Sequence, residues 1–176
     1  MNALVLYESH WGNTAAVAHA IADGLGSGAR AFTTDDVPPE MVAHAELIVA
    51  GAPVIAFRLA TDTARQGIAR NEADAPALPD VAHPSLRTWL ENLPKRDGWS
   101  AAFETRIWWS PRGATGDIEQ RFRKAGYRPL AKAEKFVVTG TYGPLREGEL
   151  ERARAWGESL RAALTAADHR RVDRVA

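Results

Sequence analysis

Two short runs of the sequence are apolar almost throughout, and they constrain the fold more than any other feature of the chain. They are ALVLY at residues 3–7 and ELIVAGA at residues 46–52. A strand with one face in water alternates apolar and polar side chains, whereas a strand buried on both faces has a continuous apolar run. The two runs therefore predict strands inside a parallel sheet.

Helical patterns separate the strand candidates along the chain. Val17, Ile21 and Leu25, for example, lie four residues apart, as on one face of a helix. The predicted strands are residues 3–7, 29–34, 46–52, 99–107 and 133–142, and the predicted helices are residues 13–25, 37–45, 60–70, 85–93, 115–127 and 147–165. Such alternation implies right-handed crossovers. We expect one α/β domain with a doubly wound five-stranded parallel sheet over residues 1–167, and a frayed basic tail at residues 168–176.

Composition and charge exclude several classes of function. The chain has 176 residues, no cysteine, and 22 basic against 22 acidic residues. The absence of cysteine excludes disulfides, thiolate metal sites and iron–sulfur clusters. The neutral balance predicts no nucleic-acid partner, and the five histidines show no metal-ligand spacing. No apolar run approaches the ~18 residues of a membrane span, and no signal peptide is recognisable, so we expect a cytoplasmic location.

The segment Ser9–Thr14 is the strongest candidate for a ligand site. It follows the first predicted strand and leads directly into the first predicted helix, and ligands of parallel sheets bind beyond the carboxyl ends of strands. Backbone N–H groups at a helix start favour a phosphate. Ser9 and Thr14 add hydroxyl donors, Asn13 adds an amide donor, and Gly12 permits close approach. The same residue types also form ordinary helix caps without a ligand, so the pattern leaves both interpretations open.

The opening ALVLYESHWGNTAAVAHAIADGL resembles the start of flavodoxin-like proteins. Ser9, Gly12, Asn13 and Thr14 match the phosphate loop of that family, and the resemblance continues through ELIVAGAPVIAF, AAFETRI and GTYGPLREGELERARAWGESL. It covers most of the chain and is greatest for short bacterial flavodoxin domain proteins. The resemblance implies strand order 2-1-3-4-5 and flavin mononucleotide (FMN) as the ligand. It also implies electron transfer or FMN-dependent reduction, with a redox protein or a small-molecule electron acceptor as partner.

The flavin ring would lie between two further segments if the resemblance holds. One contains Pro53, Val54, Ile55, Ala56 and Phe57, and the other contains Trp108, Trp109, Ser110 and Gly113; His10 and Trp11 complete the predicted site. An indole can stack on a flavin ring, and strand alternation slightly favours Trp109 over Trp108. The tryptophans could instead pack under residues 71–84 or at a homodimer contact.

Trp11 and the apolar loop after Pro53 depart from the family pattern. Trp11 stands where the electron carriers have a threonine, and the carriers are strongly acidic whereas this chain is neutral. These departures favour a second hypothesis, in which the chain keeps the fold without flavin as an interaction or regulatory module.

Two other nucleotide or phosphate sites are rejected. GLGSGA at residues 24–29 closes a helix instead of opening one, so Gly24 or Gly26 is better explained as a helix C-cap. A phosphoacceptor receiver domain needs an aspartate where the third strand ends in Gly51-Ala52-Pro53. Residues 71–84 are rich in proline, alanine and acids, and they predict a mobile surface excursion on the ligand side of the sheet.

Overall fold

The computed structural model describes residues 2–70 and 75–172, which form one seven-stranded sheet with six helices around it. The strands are β1 (Ala3–Tyr7), β2 (Ala29–Thr33), β3 (Leu47–Ile55), β4 (Arg58–Leu59), β5 (Gly98–Ile107), β6 (Tyr127–Pro129) and β7 (Glu134–Val138). The helices are α1 (Asn13–Leu25), α2 (Pro39–His44), α3 (Asp62–Arg70), α4 (Leu86–Glu91), α5 (Thr115–Lys124) and α6 (Glu149–Val172). None of these helices is long and apolar enough to cross a membrane.

The order of the strands confirms the predicted fold class. The sheet runs β2-β1-β3-β5, and β7 lies parallel to the end of β5. This is the order 2-1-3-4-5 when β5 is counted as the fourth strand and β7 as the fifth. The sheet has two strands more than the five that were predicted, because β4 pairs with β3 and β6 pairs with the start of β5.

The edge strand is shorter than predicted, and the helix before it ends earlier. Gly126 adopts φ 91°, a conformation that stops α5 and turns the chain into β6. The chain leaves the edge after Pro129 and returns at β7, which ends at Val138 instead of continuing to residue 142. Residues 139–142 are therefore a turn at the carboxyl edge of the sheet.

The strands present alternate side chains to two helical layers. Leu4 and Leu6 of β1 pack in the core beneath α4 and α5, whereas Ala3 and Val5 pack in the core beneath α1 and α6. Both faces of β1 are therefore buried, which is the physical reason for its continuous apolar sequence.

Helices α1 and α6 cross at two glycines. A Cβ added at Gly24 would lie 2.1 Å from the carbonyl oxygen of Arg154, and one at Gly157 would lie 2.3 Å from the carbonyl oxygen of Ile21. Gly26 is the C-cap of α1, whereas Gly24 allows the close approach of α6. Helix α6 continues to Val172 beyond the predicted end at residue 165. The predicted tail therefore overlaps the end of α6 at residues 168–172, and residues 173–176 lie outside the described chain.

The start of α6 is held to β7 by one buried carboxylate. Glu149 accepts hydrogen bonds from the backbone N–H of Val137 at 3.1 Å and from the guanidinium groups of Arg146 at 2.8 Å and Arg152 at 2.6 Å. Burial by itself raises the pKa of this carboxyl. The hydrogen bonds from Arg152, Val137 and Arg146 outweigh burial, so the pKa of Glu149 lies below its ordinary value of 4.5.

A tight hairpin follows β3 where a loop was predicted. Pro53, Val54 and Ile55 continue strand β3, and Ile55 pairs with Arg58 of β4. The two turn residues, Ala56 and Phe57, have φ 48° and 63°. A two-residue hairpin of this kind needs positive φ at both positions, which costs roughly 1–3 kcal/mol for each residue that is not glycine. The turn was missed because neither residue is a turn-forming type.

The excursion at residues 71–84 is described only in part, because residues 71–74 lie outside the described chain. The remainder ends on the ligand side of the sheet. The backbone of Asp80 both donates to the carbonyl of His10 and accepts from its ring Nδ1, each at 2.9 Å. Thr34 Oγ1 donates to the Pro84 carbonyl at 2.6 Å. The end of the segment is tethered, whereas the mobility of its earlier part stays a prediction.

Candidate functional site

The carboxyl ends of β1, β3, β5 and β7 surround one cleft of about 270 Å³. The cleft is lined by Ser9, His10, Trp11, Asn13, Thr14, Pro53, Val54, Ile55, Ala56, Ile68, Thr105, Arg106, Ile107, Val138 and Thr141. Parallel α/β sheets bind ligands at this edge. The volume lies near the lower end of small-molecule sites, so a nucleotide-sized ligand would extend over the rim.

The loop from residue 9 to residue 14 turns from β1 into α1 at Gly12. Gly12 is the N-cap of α1, has φ 86°, and has no atom near the position of an added Cβ. The first turn of α1 contains no acidic residue. The partial positive charge of the helix start is thus not neutralised by its own side chains, and the first backbone N–H groups are free of helical partners.

Two donor atoms of this loop, Ser9 Oγ and Trp11 Nε1, are buried without a hydrogen-bond partner among the described residues. His10 Nε2 makes no hydrogen bond either, but it lies 3.5 Å from Glu8 Oε1, and it is the acceptor nitrogen of a neutral ring that donates from Nδ1 to Asp80. Burying a polar group without a partner costs roughly 1–3 kcal/mol, and two such donors on one loop that both line the cleft need a physical reason. A ligand with several acceptor oxygens would satisfy them.

The remaining polar side chains of the loop have partners within the fold. Thr14 Oγ1 lies 2.7 Å from Thr105 Oγ1, and both side chains are buried. If Thr105 donates, the Thr14 hydroxyl keeps its own proton for a ligand. Asn13 donates to the carbonyl of Tyr142 at 2.9 Å, and the Tyr142 ring lies 4.9 Å from the Trp11 ring, edge to face. The turn after β7 therefore fixes the loop from the other side of the cleft.

A buried ion pair supports the loop from behind. Arg65 Nε lies 2.8 Å from Glu8 Oε1, with side chains that are 9% and 3% exposed, although the N–H bond is not aligned for a hydrogen bond. Glu8 Oε2 accepts from the N–H of Leu86 at 2.8 Å, and Arg65 donates to the His83 carbonyl at 2.6 Å. The arginine therefore balances a carboxylate that lies directly before the loop.

A second cavity of about 180 Å³ lies on the far side of the loop, between the ion pair and the ends of β1 and β2. Gly12 lines this cavity and not the cleft. Tyr7 lies here too: burial raises the pKa of its phenol above 10.0, and the charges of Asp36 and Asp80 raise it further. Tyr7 is thus a neutral hydroxyl at physiological pH.

The structure places the other predicted residues outside the cleft. Trp108 and Trp109 are 76% and 55% exposed, and the Trp109 ring lies 6.1 Å from the Phe57 ring beside the cleft. Ser110 is buried and donates to the carbonyl of Arg112. A Cβ added at Gly113 would lie 2.2 Å from the Glu104 carboxylate, so this glycine leaves room for that side chain.

Six residues of the cleft were not among the predicted site residues. Thr105, Arg106 and Ile107 end β5, and Val138 and Thr141 end β7 or follow it. The rule that places ligands beyond the carboxyl ends of strands could have identified these five. Ile68 belongs to α3, and no sequence signal connects that helix with the cleft.

Comparisons with known proteins agree with this architecture. No protein-family model matches the sequence, and no curated protein matches it significantly. Among solved structures, the chain is similar to a flavodoxin from the domain Archaea, with 19% identity, a TM-score of 0.65, and coverage of 94% of this chain and 99% of that one. The flavodoxin of Streptococcus pneumonia TIGR4 has 14% identity, a TM-score of 0.63, and coverage of 92% and 99%.

Part of a longer chain also has this fold. The Flv1 flavodiiron core from Synechocystis sp. PCC6803 has 20% identity and a TM-score of 0.59, and the match covers 95% of this chain but 36% of that one. Together with the strand order and the position of the cleft, these similarities show that the chain has a flavodoxin-like fold.

Proposed function

We propose that the chain binds FMN in the cleft and acts as a redox protein. The observation that carries the proposal is the pair of buried donor atoms without partners, Ser9 Oγ and Trp11 Nε1. They lie where a strand turns into a helix, at the sheet edge where ligands bind. A phosphate group supplies several charged acceptor oxygens, which fits this arrangement. The solved flavodoxins of similar fold support FMN as the molecule that carries the phosphate.

Each part of the loop has a separate role in this proposal. Ser9 Oγ, Trp11 Nε1 and the first N–H groups of α1 donate to the phosphate, and Gly12 turns the chain between them through its positive φ. Trp11 thus replaces the hydroxyl donor of a threonine with an indole donor. Asn13 orders the loop through Tyr142, and Thr14 donates while it accepts from Thr105. Arg65 keeps the nearby Glu8 carboxylate from repelling the phosphate.

The flavin ring would lie against the hairpin after β3 and the end of β5. Val54, Ile55 and Ala56 provide an apolar wall, and Arg106 contributes a positive charge that is shared with Glu104 at 3.0 Å. Bound FMN supplies the one- and two-electron chemistry, and the protein holds and tunes it. Trp109 is the candidate for stacking beyond this wall. Trp109→Ala should then weaken FMN binding and change the flavin spectrum, and unchanged values would remove this residue from the site.

The phosphate-binding role of residues 9–14 is tested by comparing FMN with riboflavin, which lacks the phosphate. The chain is titrated with each flavin, and binding is followed by flavin fluorescence. One hydrogen bond to a charged group contributes roughly 1.5–3 kcal/mol, so FMN should bind at least about tenfold more tightly. Equal affinity for the two flavins would contradict phosphate binding by this loop. Binding of neither flavin would favour the second hypothesis, a flavin-free interaction module.

The role of the indole donor is tested by Trp11→Phe, which keeps an aromatic ring but removes the N–H group. FMN affinity should fall about ten- to hundredfold, while riboflavin affinity changes little. Trp99→Phe is the matched control, because Trp99 stands at the opposite end of the sheet, next to Leu47. If Trp11→Phe weakens FMN and riboflavin binding equally, the indole serves packing and does not contact the phosphate.

A further inference from the structure

We propose that the surface beside the cleft docks an acidic electron-transfer protein. This surface, the aromatic rim, consists of Phe57, Arg58, Trp108, Trp109 and Arg112. The inference rests on the proposed redox function, because an electron-transfer partner needs access to a redox group in the adjoining cleft.

Large aromatic side chains are concentrated and exposed on the aromatic rim. Trp108 is 76% exposed, Trp109 is 55% exposed and Phe57 is 39% exposed. Three of the five large hydrophobic side chains that are exposed in the described chain therefore lie in two short segments. Trp109 and Phe57 pack edge to face, which joins the two segments into one patch. Contiguous exposed aromatic surface of this kind marks sites of protein interaction.

The charge of the aromatic rim determines the class of partner. Residues 56–59 and 105–114 contain three arginines and no acidic residue, although the whole chain is neutral. Arg106 is paired with the buried Glu104. Arg58 and Arg112 are exposed and have no ion pair among the described residues. The rim thus presents two uncompensated positive charges, which attract an acidic surface and repel a basic one.

The shape of the aromatic rim favours a protein over a small molecule. Tryptophan and arginine are the residues most enriched in interface hot spots. A small-molecule site would enclose most of its ligand, whereas the Trp108 side chain is 76% exposed. The arms of the hairpin that carries Phe57 and Arg58 pair at Val54–Leu59 and Ile55–Arg58, so these side chains are displayed by a paired turn instead of a free loop.

The probe for the test is a plant-type [2Fe–2S] ferredoxin, an acidic electron-transfer protein. Cytochrome c, a basic electron-transfer protein, is the control partner of opposite charge. The isotope-labelled chain has six tryptophans and therefore six indole N–H signals in an NMR spectrum. Single Trp→Phe variants assign the signals. With ferredoxin, the Trp108 and Trp109 signals should shift or broaden while those of Trp99 and Trp156 stay unchanged. Cytochrome c should leave all six unchanged.

Charge reversal provides the quantitative arm of the test. In Arg58→Glu/Arg112→Glu, the affinity for ferredoxin should fall at least tenfold at about 0.1 M salt, where charges act over ~10 Å. The matched control is Arg30→Glu/Arg161→Glu, which changes the net charge equally. Both control residues are exposed and lie away from the cleft, Arg30 at the start of β2 and Arg161 near the end of α1. The control variant should lose less than twofold.

Three results would overturn the docking proposal. The first is an equal loss of ferredoxin affinity in the two double variants. The second is a ferredoxin titration that leaves the Trp108 and Trp109 signals unchanged. The third is a change of these signals with the concentration of the chain itself, which would assign the aromatic rim to contact with a second copy. FMN titration of the same samples separates the two proposals. Wild-type chain that binds FMN but not ferredoxin refutes only the docking surface, whereas failure to bind FMN refutes the proposed function. Neither Arg58 nor Arg112 lines the cleft, so their reversal should leave FMN affinity unchanged.

Discussion

Replacement of Arg65 by methionine should destabilise the fold strongly. The substitution keeps an apolar stem but removes the cation that lies 2.8 Å from the Glu8 carboxylate. It also removes the donor to the His83 carbonyl. Glu8 would keep one backbone hydrogen bond, from Leu86, and the His10 ring 3.5 Å from Oε1. Removing one partner of a buried ion pair costs about 3–5 kcal/mol, a large part of the 5–15 kcal/mol that stabilises a typical protein.

The free energy of unfolding is measured by urea denaturation of wild type and variant under identical conditions. For a chain of this length, 1 kcal/mol corresponds to a shift of roughly 2–4 °C in Tm. Arg65→Met should therefore lower Tm by about 6–20 °C, and thermal unfolding provides an independent check.

Arg154→Met is the matched control. Arg154 lies 3.1 Å from Asp23, but its side chain is 60% exposed and that of Asp23 is 61% exposed. Water screens such a pair, so this variant should lose only about 0–1 kcal/mol. Addition of Glu8→Gln to Arg65→Met should restore part of the lost stability, because an amide can be buried without a counterion. Equal losses in the two arginine variants, or a further loss in the double variant, would refute the assignment of the effect to an unpaired buried charge.

Three further predictions concern the helix crossing, the start of α6 and the excursion. Gly157→Ala should lower the free energy of unfolding by about 1–3 kcal/mol through overpacking. The control Gly67→Ala, in a helix with no atom within 4 Å of an added Cβ, should raise it by about 0.5–1 kcal/mol. Comparable urea midpoints for the two variants would contradict the close crossing of α1 and α6. Glu149 has a lowered pKa in the fold, so its stabilisation is present above about pH 4.5 and is lost as pH falls through the folded value. Glu149→Gln should therefore destabilise the fold at neutral pH, and its difference from wild type should shrink as the pH falls through the folded pKa of Glu149; a deficit that is independent of pH would show that the charge is not responsible. Limited proteolysis should cut first in residues 71–84, before the tether at Asp80; first cleavage elsewhere, with this segment intact, would refute its mobility.

The sequence by itself determined the order of the helices and of the five main strands, and the position of the candidate phosphate loop. Both follow from local patterns. Leu4 and Leu6 face one helical layer and Ala3 and Val5 the other, so burial on both faces appears directly as a continuous apolar run. A strand that turns into a helix at Gly12 likewise depends on neighbours within a few residues.

The tertiary structure alone decided which side chains reach the cleft and which surround it. Glu8 and Arg65 are far apart in the sequence, and neither is distinguished by its neighbours, so their pairing depends on how α3 packs against the end of β1. The hairpin at Ala56 and Phe57 contains no turn-forming residue, because strand pairing imposes its positive φ values. Strand alternation slightly favoured Trp109 over Trp108 for stacking. The N–H of Ser110 turns back to the carbonyl of Ile107, which ends the alternation before Trp109, so only the tertiary structure decides where this side chain lies. Local periodicity holds only while the backbone stays regular, and the residues that bind ligands lie where it stops.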